Sequence, residues 1–166
     1  KFNNLVLDAG CLIGKEGAGG QIFNSSMLWE RVVVSATLIG QLERILSDSI
    51  NYFKNKSVGE KKLFNLQYIQ HVVADVKTAL QASKNMVYDA AFAIDNKDKS
   101  AFTKASMAKL FVTENVVKSI KQLQEVHGAY GYLTENGLER EYRDASAALI
   151  YSGTSAIQRN IIVSGL

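Results

Sequence analysis

The 166-residue chain contains no proline. At the usual frequency of about 5%, a chain of this length would carry roughly eight. Their absence argues against a many-turned β fold and for long uninterrupted helices, which an internal proline would break. The single cysteine, Cys11, excludes an internal disulfide and fits a reducing compartment. Only two histidines occur, His71 and His127, far apart and without a further Cys or His at ligand spacing, so no metal site is expected. No apolar run approaches the ~20 residues of a membrane span, and the first residues lack the charged start and apolar centre of a signal peptide. The expectation is a soluble, cytoplasmic protein with no membrane partner.

What is present suits one domain with a substantial core: 47% of residues are hydrophobic and 21% charged. Nineteen Lys and Arg stand against sixteen Asp and Glu, a net charge of +3. The basic residues are scattered among acids, and their longest cluster, Lys54 to Lys62, contains Glu60. Nucleic-acid binding needs a basic face or stripe, so no nucleic-acid partner is expected.

The chain divides by composition. Phe2 to Leu7 alternates weakly and reads as a short strand, followed by a loop holding Gly10, Gly14, Gly17, Gly19 and Gly20. One long helix is expected over 21–53. A polar connection with Gly59 follows, and then a helix over 63–95. That second helix carries Leu66, Ile69, Val73, Val76, Leu80, Ser83, Val87, Ala90 and Ile94 at alternating three- and four-residue steps. Apart from Ser83 this is the seam of an antiparallel helical bundle. A third helix is expected over 101–127 with Ser100 as N-cap, then a break at 128–132 and a helix over 138–151. Ser152-Gly153 interrupts, and Thr154 caps a last helix with Ile157, Ile161 and Ile162. The fold class is therefore all-α, an up-and-down four-helix-type bundle with an extra C-terminal helix.

Several constellations have both a plain and a chemical reading. Gly10 to Glu16 approaches a phosphate loop but is one residue short and has Glu16 where Ser or Thr should hold magnesium, which rejects it. Cys11 has no nearby His, so a nucleophilic role is unsupported. Glu139 with Arg143 and Arg140 with Asp144 are spaced as helix ion pairs. Ser152 to Ser155 either ends one helix and caps the next or forms an anion or carbonyl site from exposed N–H groups. Glu30, between Trp29 and Val32 to Val34, is either a partly desolvated general base or an exposed carboxylate beside Arg31.

Three tail segments resolve more. Gln124-Glu-Val-His127-Gly128-Ala-Tyr130-Gly131-Tyr132, Leu138-Glu-Arg-Glu-Tyr142-Arg143-Asp144-Ala145 and Ile150-Tyr-Ser152-Gly153-Thr154-Ser-Ala-Ile-Gln158-Arg159 stand in this order. Together they closely resemble the C-terminal domain of acyl-CoA dehydrogenases, with their Q-I-H-G-G-x-G-Y, E-R-x-Y-R-D-A and I-Y-E-G-T-S-x-I-Q-R stretches. Upstream, Ala105 to Phe111, Leu66 to Gln70 and Leu12 to Gly19 extend the resemblance over essentially the whole chain.

The resemblance implies a helical bundle domain over 19–166. It also implies that residues 1–18 are the exit from a missing middle β-domain together with the Gly-rich loop. The implied activity is α,β-dehydrogenation of an acyl thioester, on CoA or an acyl carrier protein, by a full-length enzyme using FAD. The fragment alone would be inactive. Implied partners are an electron-transfer flavoprotein or oxygen as acceptor, and further copies in a homodimer or homotetramer.

In many members the base is the Glu of the Y-E-G-T motif, where this chain has Ser152. A minority, including isovaleryl-type and long-chain-type enzymes, supplies it from the first helix of this domain, and Trp29-Glu30-Arg31 falls on that position. By resemblance Glu30 is catalytic, while Arg31, Ser152 and Gly153 lie on the substrate side. Cofactor positions match Lys56, Ser57, Val58, Glu125, Gly128, Ala129 and Thr154. Several depart from the family: R-x-x-F-G reads Asn55-Lys56-Ser57-Val58-Gly59, Glu125 replaces a Gln, and Ala129 replaces a Gly. Such departures also suit an alternative, a family member without chemistry that serves as an assembly or interaction module.

Overall fold

Helix α1 runs without interruption over Gly19–Asn55, a length that a proline-free segment permits. Its inward stripe is Val32, Ser35, Leu38, Leu42, Ile45, Ser49 and Phe53, all buried and three or four residues apart. The computed structural model describes residues 1–166. At its C-terminal end the Asn55 side chain donates back to Asn51 O at 2.9 Å. A minimal hairpin follows, β1 (Ser57–Val58) and β2 (Lys61–Lys62), antiparallel with Ser57 opposite Lys62. Gly59 supplies the positive φ (59°) of its turn.

Helix α2 spans Gln67–Asp95, entered through a 3-10 turn at Leu63–Asn65 where the sequence suggests a continuous helix from 63. Ile69, Val76, Leu80, Ser83, Val87, Ala90 and Ile94 are buried as the seam requires. Leu66 and Val73 are only partly buried, and Val72 and Ala93 turn inward with the others. An α-helix has 3.6 residues per turn rather than 3.5, so the inward face drifts off a strict seam over this length.

Helix α3 spans Ala101–His127. Ser100 is not its side-chain cap. The Asp98 carboxylate takes both the Ser100 N–H (2.8 Å) and Oγ–H (2.9 Å), a charge-assisted turn that draws the hydroxyl away from the helix end. Ala101, Ala105 and Ala108 let α3 lie close to its neighbours, and Val112, Val116, Ile120 and Leu123 continue the same buried stripe.

After one turn of helix, α4 (Ala129–Tyr132), the chain descends as α5 (Leu138–Ala147) and α6 (Ser155–Ser164). The expected helix over 138–151 stops at Ala147, and the chain then passes through turns to Ser152. Lys84–Glu43 and Lys104–Asp89 pairs show α2 antiparallel to both α1 and α3. The tail is the fourth member: Glu141 meets Gln41 and Arg44 near the middle of α1, while Arg159 reaches Glu114 on α3. Phe2 to Leu7 forms no strand; it is exposed and has no neighbouring edge to bond with. A 3-10 turn at Ala9–Cys11, capped by Asp8, precedes the glycine loop. No helix is long and apolar enough to cross a membrane.

Candidate functional site

The turn that joins α5 to α6 has two residues in the left-handed region, Ser152 (φ 56°) and Gly153 (φ 93°). Two buried side chains hold it. Lys109, wholly buried on α3, donates through Nζ to Ala148 O at 2.9 Å and Gly153 O at 2.7 Å. Gln158, wholly buried on α6, donates through Nε2 to Ser152 O and Gly153 O, each at 3.0 Å. Gly153 is required: a Cβ there would lie 2.7 Å from Gln158 Nε2.

This turn faces α1 where Glu30 emerges. Ser152 Oγ donates to Glu30 Oε1 at 2.5 Å, and both residues are half-buried. Trp29 beside them is 49% exposed. Glu30 and Ser152 are 122 residues apart in sequence, so their pairing is wholly tertiary.

Arg31 turns the other way, into the bundle. It is 5% exposed, with its guanidinium 4.7 Å above the Phe102 ring and its Nε and Nη1 unpaired. Burial lowers its pKa and the adjacent Glu30 charge opposes that. Lys109 is pushed down to about 8, first by burial and then by the Arg31 charge, with Glu114 opposing. The region thus concentrates two buried cations behind one carboxylate.

Thr154 caps α6 as its position suggests, its Oγ1 accepting from Ile157 N–H at 3.3 Å. Ser155 N–H donates to Leu149 O, and Ala156 N–H is left free at the helix end.

The other expected cofactor positions lie at the opposite end of the bundle. Lys56, Ser57 and Val58 are exposed on the hairpin. Lys56 has no ionic partner, Lys54 lies over the Phe64 ring, and Lys62 donates to Asn55 O. Glu125, Gly128 and Ala129 are exposed at the end of α3, with Lys121 3.9 Å from Glu125. A groove there is also walled by Tyr132, Glu139 and Arg143. Behind it, Tyr52 stacks on His127 (4.9 Å) and Tyr130 (4.4 Å), tying the C-terminal ends of α1 and α3 together. From Lys109 to Glu125 the helix rises roughly 24 Å, at about 1.5 Å per residue. Thr154 and the Glu125 group are therefore not brought together within one chain.

Of the two expected ion pairs on α5, Glu139–Arg143 forms loosely at 3.9 Å, and Arg140–Asp144 does not form. Arg140 instead folds back toward Gly137. Sequence reasoning missed Lys109 and Gln158. The available signal was Lys109 itself, a cation on the small-residue stripe of Ala105, Ala108 and Val112.

Residues 17–166 match the family model of the acyl-CoA dehydrogenase C-terminal domain, and the chain belongs to that family. An acyl-CoA dehydrogenase of Bacillus subtilis is 33% identical over 97% of this chain and 42% of its own length. An L-prolyl-[peptidyl-carrier protein] dehydrogenase of a Serratia species is 32% identical over 99% of the chain and 42% of its own length. Among solved structures, the prolyl acyl carrier protein oxidase AnaB superposes with a TM-score of 0.90 at 40% identity, covering 95% of this chain and 42% of that one. PigA with FAD and proline gives 0.94 at 31% identity, covering 98% and 42%. The chain spans about two fifths of the length of these relatives.

Proposed function

We propose that the chain is the C-terminal part of an FAD-dependent enzyme that dehydrogenates an acyl thioester, carried on CoA or on an acyl carrier protein. In this reading 19–166 is the bundle domain and 1–18 leads out of a preceding β-domain. The supporting observation is the Glu30–Ser152 pair. The turn position that carries the family's usual carboxylate and the helix position that carries the alternative one meet at 2.5 Å, and a single carboxylate remains, on α1. Glu30 takes the α-proton of the acyl group, and the Cα–Cβ double bond forms as the β-hydrogen departs as hydride. Ser152 and Gly153 shape the thioester side, while Arg31, expected there from the resemblance, is turned into the bundle and contributes only its buried charge. A buried positive charge behind the carboxylate suits a carbonyl whose oxygen gains charge as the α-proton leaves.

The residues present fit FAD. On the helix that follows the Ser152 turn, the Ala156 N–H beside Thr154 is free and would be a donor for an acceptor atom of the cofactor. At the far end, Lys54, Lys56, Lys61 and Lys62 stand in and beside the hairpin with Glu60 as the single acid among them, a positive end suited to a pyrophosphate. Lys121 offsets the Glu125 carboxylate. Ser57, Val58, Gly128 and Ala129 would complete that end. The chemistry FAD supplies when bound is acceptance of the hydride. The roughly 24 Å between the two groups supports a homodimer or homotetramer in which neighbouring copies complete each other's cofactor site. Reoxidation falls to an electron-transfer flavoprotein or oxygen. One relative is a subunit of a caffeyl-CoA reductase–Etf complex and another solved relative is an oxidase.

The test is Glu30→Gln in the full-length protein. The variant should keep its flavin spectrum while substrate no longer bleaches it. Near-normal turnover overturns Glu30 as base. A wild-type protein that is colourless and takes up no added FAD overturns the enzyme reading in favour of an assembly module.

A further inference from the structure

Ser152 has a backbone that a serine does not favour. At φ 56° it occupies the left-handed region, where glycine would sit without steric conflict, and a glycine already follows it. Its side chain is spent on one contact, the hydrogen bond to Glu30 Oε1. The main chain beneath is fixed from behind, with Ser152 O held by Gln158 and Gly153 O held by both Gln158 and Lys109. A strained, clamped turn that delivers a hydroxyl to one oxygen of a carboxylate is a device for fixing that carboxylate.

We propose that Ser152 is the positioning residue of Glu30: its hydroxyl occupies Oε1 and fixes the side chain so that Oε2 is the oxygen that receives the substrate proton. A half-buried glutamate without such a partner still samples several rotamers, and only some bring an oxygen within reach of the α-proton. The hydroxyl neither gains nor loses a proton in the reaction; it holds one carboxylate oxygen while the other acts. The inference rests on Glu30 being the base.

The decisive variant is Ser152→Gly in the full-length protein, because it removes the hydroxyl and relieves the backbone together. A serine with no role at Glu30 would leave flavin reduction at the wild-type rate after this substitution. The positioning role predicts an unfolding midpoint equal to or above wild type, unchanged flavin content and little change in KM. It predicts a roughly 10- to 100-fold slower flavin reduction in a single turnover. Ser152→Asn, which tolerates positive φ and keeps a donor, should recover part of the rate. In a Glu30→Gln background Ser152→Gly should change nothing further, the non-additivity of two residues acting as a unit. Wild-type flavin reduction in Ser152→Gly, with Glu30→Gln inactive, overturns the positioning role and leaves the base intact. An active Glu30→Gln overturns both. A Ser152→Gly protein that melts lower and has lost its flavin assigns the serine to the fold and also overturns the proposal.

Discussion

Lys109 Nζ lies 2.7 Å from Gly153 O, joining the middle of α3 to the turn before α6. The same amine is the donor to Ala148 O at 2.9 Å. One buried cation thereby shapes the loop that faces Glu30.

Lys109→Met removes the donor to Ala148 O and should cost about 1–3 kcal/mol, the usual penalty for an orphaned buried acceptor. The pH dependence is a second check. The amine titrates near 8 in the fold against an ordinary 10.5, so between those values the unfolded chain binds more protons than the folded one. Stability contributed by this group therefore rises with pH across that window and is flat below it. Urea melts of wild type and Lys109→Met from pH 7 to 10.5 should diverge only above about 8.

Arg31→Met should raise the Lys109 pKa, because the Arg31 charge is one of the two causes that lower it. An NMR titration of the labelled lysine ε-position reads this directly. Stability should change by less than about 1 kcal/mol, since Nε and Nη1 of Arg31 have no partners to lose and a buried charge is relieved.

His127 is buried, with Nδ1 donating to Leu123 O at 2.6 Å and its ring against Tyr52. Burial lowers its pKa below 6.5, so the folded state resists protonation there. The stability it contributes is complete above about 6.5 and is lost as pH falls from there through the folded value. In His127→Gln the dependence of the melting midpoint on pH over this range should flatten.

Two glycines should respond in opposite directions. Gly153→Ala places a Cβ 2.7 Å from Gln158 Nε2 at φ 93° and should cost about 1–3 kcal/mol. Gly40→Ala, inside α1 with nothing within 4 Å of the new methyl, should stabilise by about 0.5–1 kcal/mol. Paired urea titrations separate the two.

Much of the bundle was legible before its structure. The seam from Ile69 to Ile94, the third helix to His127 and the Thr154 cap depend on spacing a few residues apart, and local periodicity encodes them. Ser100 failed as a cap because its backbone is helical (φ −80°, ψ −5°) rather than extended and its hydroxyl turns back to the Asp98 carboxylate, a local turn that cap statistics do not weigh. The strand expected over Phe2 to Leu7 failed because strand formation needs a partner edge.

By itself the sequence determined an all-α domain, through the missing prolines and the apolar steps of its helices, and membership of a family, through its ordered tail motifs. It also singled out Glu30 and Ser152 separately. Only the tertiary structure decided that they touch, that Arg31 points into the bundle rather than alongside Glu30, and that Lys109 and Gln158 clamp the turn between them. These are contacts across 122, 44 and 5 residues of chain. The longer two exist only once α1, α3 and the descending tail have packed, because a hydrogen bond across such a loop forms after burial has met the entropy of closing it.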